Sequence, residues 1–197
     1  MNIFYFLGDS ITLGVNVAPQ ESFVNKIYTD IIQKLPEKYP LPPTTLYNLG
    51  VRKNTTKNIL ERFEKEFQDR NFPNSKAHFI LMCVVVDMVM PEDKTLLSLE
   101  ESKKYFKQLL TSAKEKGNIF VISPSPVVNE NHKERIANLI LEQEKICQEM
   151  NIPYINIFQE LDTKEFLEDL KDGIHPNEIG NVFIAEKVLN QLLTYLA

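Results

Sequence analysis

Residues 3–12 read Ile3-Phe4-Tyr5-Phe6-Leu7-Gly8-Asp9-Ser10-Ile11-Thr12. Five apolar residues in a row are followed by a glycine and two small polar side chains. A continuous apolar run of this kind suits a strand buried on both faces, as in a parallel sheet. The glycine permits a tight turn that sets the next side chains at the sheet's edge. The stretch therefore predicts a first strand that delivers Asp9 and Ser10 to the end of a sheet.

The same pattern recurs along the chain. Further runs rich in Ile, Val, Phe and Tyr lie at 44–49, 78–86, 118–122 and 153–157, with the first at 2–7. Amphipathic segments separate them. Phe23, Val24, Ile27, Ile31 and Leu35 share one helical stripe, as do Ile59, Leu60, Phe63 and Phe67, then Tyr105, Phe106, Leu109, Leu110 and Ala113. Ile136, Leu139, Ile140 and Cys147 form a fourth, and 177–196 a last helix. Ser98 with Glu101, and Asn131 with Glu134, have the spacing of helix starts. Gly117 reads as a helix stop, and Pro36–Pro43 as a helix-to-strand loop. Five βα units around one core predict a three-layer α/β domain with right-handed crossovers. No repeat or linker interrupts the pattern, so residues 1–197 are expected to form a single domain.

Composition narrows the function. A hydrophobic fraction of 43% with 25% charged residues provides for a full core. The net charge of −5, without a basic block, argues against binding nucleic acid or anionic lipid through bulk charge. Cys83 and Cys147 sit in apolar patterns, away from each other and from any metal-ligand spacing, and read as buried thiols. The N-terminal apolar run is too short for a signal-peptide core, and no stretch has the length of a membrane span. A soluble cytoplasmic protein is expected.

In open parallel sheets the ligand site forms at the carboxyl ends of the strands. Ser10 follows the first predicted strand, Asn48-Leu49-Gly50 the second, Asp87 the third and Ser123-Pro124-Ser125-Pro126 the fourth. Asp172-Gly173-Ile174-His175-Pro176-Asn177 comes after the fifth. A serine after a strand is commonly only a helix cap. It becomes a candidate nucleophile if a base lies within hydrogen-bond reach. Of the three histidines, His132 reads as a solvated residue at a helix start and His78 as structural. His175 stands three residues after Asp172, a spacing that lets the carboxylate orient the imidazole. Ser10, His175 and Asp172 make up the one nucleophile, base and orienter set in the chain.

These blocks resemble those of the SGNH (GDSL) hydrolase family. Gly8-Asp9-Ser10-Ile11-Thr12 is similar to its first block, Asn48-Leu49-Gly50 with Asn54-Thr55-Thr56 to its second, and Asp172-Gly173-Ile174-His175-Pro176-Asn177 to its last. The resemblance implies a flavodoxin-like three-layer α/β/α sandwich with a five-stranded parallel sheet. It implies a serine esterase or acylhydrolase acting on a small-molecule ester or thioester, with no metal or organic cofactor, and it specifies no oligomeric state. Ser10 would attack, His175 would carry the proton and Asp172 would orient it. The backbone N–H groups of Ser10 and Gly50 would face the oxyanion, and Asp9 and Asp87 would be structural residues near the site.

The third block departs from the family. Val84-Val85-Val86-Asp87 stands where the family has Gly-x-Asn-Asp, so Val84 replaces the glycine and Val86 the asparagine that donates to the oxyanion. Losing one such donor typically costs about 10²–10³-fold in rate. The alternative reading is therefore a catalytically weak or inactive binding protein on the same scaffold. Asn54 is a candidate replacement donor. Arg52 and Lys53 put positive charge near the rim, which suits an anionic substrate or simply a solvated loop. Met88, Val89, Met90 and Pro91, with Pro124, Pro126, Val127 and Val128, are expected to border an apolar pocket. A nucleotide-binding protein of the same architecture is disfavoured, because the first strand lacks a glycine-rich phosphate loop.

Overall fold

The computed structural model describes residues 1–197. Its sheet has five parallel strands: β1 (Asn2–Gly8), β2 (Thr45–Gly50), β3 (Lys76–Met82), β4 (Gly117–Ile122) and β5 (Tyr154–Ile155). Their order is β2-β1-β3-β4-β5, the flavodoxin-like order. Every pairing is parallel, with Gly8 opposite both Gly50 and Met82. The carboxyl ends of β2, β1 and β3 thus finish level with one another.

Eight helices accompany the sheet: α1 (Ser10–Leu13), α2 (Phe23–Lys34), α3 (Thr56–Arg70), α4 (Leu99–Lys114), α5 (Glu130–Glu149), α6 (Phe158–Leu161), α7 (Lys164–Asp169) and α8 (Glu178–Leu196). α2 packs on α8, while α3 packs on α4 and α4 on α5, which gives a layer on each face of the sheet. β1 is buried on both faces, with Ile3, Phe4, Tyr5, Phe6 and Leu7 all at most 1% exposed, as its unbroken apolar run requires. These residues belong to one continuous cluster of 50 buried hydrophobic residues.

Several local expectations are corrected. The run 78–86 is strand only to Met82, because Val84 turns the chain with a φ of 90°. A β-branched residue in the left-handed region is strained by about 1–3 kcal/mol, which burial of its isopropyl group offsets. The fifth helix starts earlier than expected: its cap is Asn129, whose side chain accepts from the His132 N–H, rather than Asn131. Gly117 does not stop α4 but opens β4, where a Cβ would lie 2.4 Å from the Ala77 carbonyl oxygen. The Ser98–Glu101 capping box forms as expected.

Candidate active site

The first turn after β1 is built around Asp9. Its carboxylate caps α1 by accepting from the Ile11 N–H at 2.9 Å, which leaves Ser10 at the first helical position. The Ser10 N–H is then one of the helix's orphan donors. Gly8 is required by crowding: a Cβ there would stand 2.0 Å from Thr12 Oγ1 and 2.3 Å from the Met82 carbonyl oxygen.

The structure brings Ser10, His175 and Asp172 together from opposite ends of the chain. His175 Nε2 lies 2.8 Å from Ser10 Oγ, and His175 Nδ1 lies 2.6 Å from Asp172 Oδ2. With a carboxylate at Nδ1, that nitrogen carries the proton, so Nε2 accepts from the serine hydroxyl. Asp172 Oδ1 also accepts from the backbone N–H groups of Ile174 at 3.1 Å and His175 at 2.8 Å. Burial pulls the Asp172 carboxyl up, but these hydrogen bonds with His175 and Ile174 outweigh it and hold the pKa at about 2. Gly173, at a φ of 80°, makes the tight turn that the motif needs.

Gly50 requires a correction. Its N–H donates to Asn48 Oδ1 at 3.0 Å and is therefore already engaged. The glycine serves close packing instead, since a Cβ would stand 2.2 Å from the Leu13 nitrogen and 2.6 Å from its Cα. Asn48 completes that junction by donating from Nδ2 to the Thr12 carbonyl oxygen at 2.9 Å. Lys53, three residues beyond Gly50, has an unengaged N–H. It lines the same cavity as Ser10 and holds a φ of 62°. Left-handed backbone costs a side-chain-bearing residue about 1–2 kcal/mol.

Asn54 does not line the cavity; its Oδ1 accepts from Arg62 Nε at 2.8 Å. Arg62 also donates to the carbonyl oxygens of Leu49 at 2.6 Å and Gly8 at 3.3 Å, tying the ends of β1 and β2 to the loop that carries Lys53. It sits on a helical face beside Ile59 and Phe63, and nothing in its spacing announced this.

Asp87 is fully buried and accepts from the Thr56 N–H and Thr56 Oγ1, both at 2.7 Å, and from Ser102 Oγ. It thus joins the third loop to the starts of α3 and α4. Burial raises its pKa despite these bonds. His132 is a further correction: rather than solvated, it is 6% exposed, and its Nε2 lies 2.9 Å from the Val85 carbonyl oxygen. Burial also lowers its pKa, so it stays neutral and donates to that carbonyl. Arg135 Nε donates to the Met88 carbonyl oxygen at 3.0 Å, so α5 holds the 84–88 turn at two points.

A cavity of about 410 Å³ opens at Ser10 and His175. Its apolar wall comes from Val85, Val86, Val89, Pro91, Leu96 and Ile174. Of the residues expected there, Val89 and Pro91 line it, whereas Met88 and Val127 are buried in the core. Leu96 and Ile174 were not anticipated.

Asp9 also carries an electrostatic consequence. It is 1% exposed and its Oδ2 has no hydrogen-bond partner. Burial, with the nearby Asp87 charge adding to it and the Ile11 N–H opposing it, pushes its pKa up to about 7. The unfolded chain ionises this group near pH 4, whereas the folded chain keeps the proton to about pH 7. The folded state binds more protons across that window, so the contribution of Asp9 to stability is fully present below about pH 4 and is lost as pH rises toward 7. Asp9→Asn, which keeps the cap acceptor, is expected to flatten that decline in urea midpoints measured from pH 4 to 8. A decline equal to the wild type's would show that Asp9 is not its source.

No curated protein sequence matches the chain. Among solved structures, it is similar to a member of the lipolytic G-D-S-L family from Veillonella parvula DSM 2008, with a TM-score of 0.78, 19% identity and 98% of each chain covered. It is similar to an acetylxylan esterase from Geobacillus stearothermophilus, with a TM-score of 0.75, 17% identity, and 96% of this chain and 92% of that one covered. It is also similar to an α/β hydrolase enzyme from the metagenome of Lake Arreo, Spain, with a TM-score of 0.76, 15% identity, and 96% and 93% covered. At these identities the likeness establishes the α/β fold. A model of the GDSL-like Lipase/Acylhydrolase family matches residues 6–182, a stretch that runs from the strand before Ser10 to beyond His175, and the chain belongs to that family.

Proposed function

We propose that this protein is a serine esterase that cleaves carboxylic esters or thioesters through a seryl-acyl intermediate. The observation that carries the reading is the unbroken chain of hydrogen bonds from Ser10 Oγ through His175 to Asp172 at the mouth of an apolar cavity. Ser10 Oγ attacks the carbonyl carbon while its proton passes to His175 Nε2. The tetrahedral adduct collapses, the C–O or C–S bond breaks, and His175 gives that proton to the leaving group. Water then repeats the sequence on the acyl-enzyme and releases the acid. Asp172 keeps the imidazole in the required tautomer and stabilises the imidazolium. Lys53 joins Ser10 as the oxyanion's backbone donor in place of Gly50, because Gly50 N–H is committed to Asn48.

The test is hydrolysis of 4-nitrophenyl acetate, butyrate and octanoate, with fluorophosphonate labelling located by peptide mapping. Labelling at Ser10 with turnover is the expected result. A folded protein that neither labels nor turns over would defeat the reading and favour a second one, a binding protein that retains the scaffold. The observation behind that second reading is Val86, which lines the cavity where a third donor would be needed. Val86→Asn is expected to raise kcat for the butyrate ester by about 10²-fold, the typical worth of one oxyanion donor. An unchanged kcat would mean that the oxyanion is held without a side chain at position 86.

A further inference from the structure

The cavity has two unlike flanks. β1, which leads into Ser10, lies between β2 and β3. The loop after β2 therefore reaches the nucleophile from one side and brings Arg52 and Lys53. The loop after β3 reaches it from the other and brings Val85, Val86, Val89 and Leu96. Arg52 and Lys53 are the only lysine, arginine, aspartate or glutamate side chains lining the cavity.

Both cations are exposed, and neither forms a salt bridge, whereas Lys57 and Arg62 on the following helix are matched with Glu61 and Glu66. Lys53 occupies a left-handed position that glycine or asparagine would hold with less strain. Strained backbone that persists beside a reacting group is a mark of functional sites. The chain as a whole is acidic, at −5, so diffuse attraction of anions to it is opposed and these two cations are a local exception. The facing valine and leucine wall offers hydrogen bonds to nothing, and a polyhydroxylated substituent there would lose its own to water.

We propose that the substrate is an amphiphilic ester or thioester, with an apolar arm against the β3 loop and an anionic group, carboxylate or phosphate, on the other side of the scissile bond. Arg52 and Lys53 hold the anion. This rests on the serine-esterase reading of the same site.

Two matched pairs of esters test it. In the first, 4-carboxyphenyl octanoate against 4-carbamoylphenyl octanoate, the anion is on the leaving group. In the second, mono-octyl succinate against octyl succinamate, it is on the acyl group. In one pair the anionic member is expected to have about 10-fold higher kcat/KM, mainly through KM, as two partly exposed ion pairs supply. That ratio should fall to near one in Arg52→Gln/Lys53→Gln and in 0.5 M salt, and the responding pair reveals which arm carries the charge. Hydrolysis of the neutral members without preference in either pair overturns the proposal and leaves the esterase reading standing.

Binding supplies a readout free of turnover. Calorimetry on Ser10→Ala protein should show octyl phosphate binding at least about 10-fold more tightly than octyl glucoside, with the advantage lost in the Arg52→Gln/Lys53→Gln background. Equal affinities overturn the proposal even if the chain hydrolyses nothing. Failure of hydrolysis together with a clear phosphate preference overturns the esterase reading instead and keeps the anion site.

Discussion

Ser10→Ala and His175→Ala are each expected to lower kcat for 4-nitrophenyl butyrate by about 10⁶-fold, and the double variant to lose little more, because nucleophile and base act as one unit. The reason lies in the 2.8 Å contact between His175 Nε2 and Ser10 Oγ. Without the imidazole the hydroxyl keeps its proton, and without the hydroxyl the imidazole has no nucleophile to activate. Asp172→Asn should be milder, at most about 10⁴-fold, the loss seen when an orienting carboxylate is replaced and the tautomer changes. Two backbone N–H groups already fix the Asp172 turn, and the side chain is 47% exposed, so water can share its work. Rates measured across the four variants, with folding checked by circular dichroism, decide the matter. A Ser10→Ala protein that retained more than about a hundredth of wild-type turnover would exclude Ser10 as the nucleophile.

Gly50→Ala is expected to cost about 3 kcal/mol or more in stability, at the upper end of overpacking substitutions. The added methyl would meet the backbone nitrogen and Cα of Leu13 at 2.2 and 2.6 Å, and neither can rotate away as a side chain would. Either the end of β2 or α1 must move, and α1 begins with Ser10. Turnover should fall as well, by about 10²-fold for a displacement of about 1 Å. Urea unfolding of the variant gives the first quantity and ester hydrolysis the second. A shift smaller than about 0.5 kcal/mol would mean that β2 and α1 do not approach as closely as described.

The two expectations draw on different kinds of information. Ser10, His175 and Asp172 were readable in the chain because each motif carries its own local geometry. The apolar run before Gly8 makes a central strand, and an aspartate three residues before a histidine can reach its ring. The sheet was readable for the same reason, since burial on both faces leaves an unbroken apolar run. The strand order then brings two ends of the chain, 165 residues apart, to one place.

Gly50, Arg62, His132 and Lys53 were not readable in this way. Asn48 is only two residues from Gly50, but its amide is held in place for that bond by donating to the Thr12 carbonyl oxygen across the junction of β2 and α1. Arg62 looks like any helical cation until α3 packs across the ends of β1 and β2 and offers it three oxygen atoms. His132 stands among polar neighbours in sequence, yet the first turn of α5 presses it onto the Val85 carbonyl. Local sequence thus determined the strands, the helices and the two motifs that meet at Ser10 and His175, because periodicity and short-range spacing express local physics. Which glycine is needed for contact, which cation ties the strand ends together and which histidine is buried were decided by tertiary structure, because each depends on residues that only the folded sheet makes neighbours.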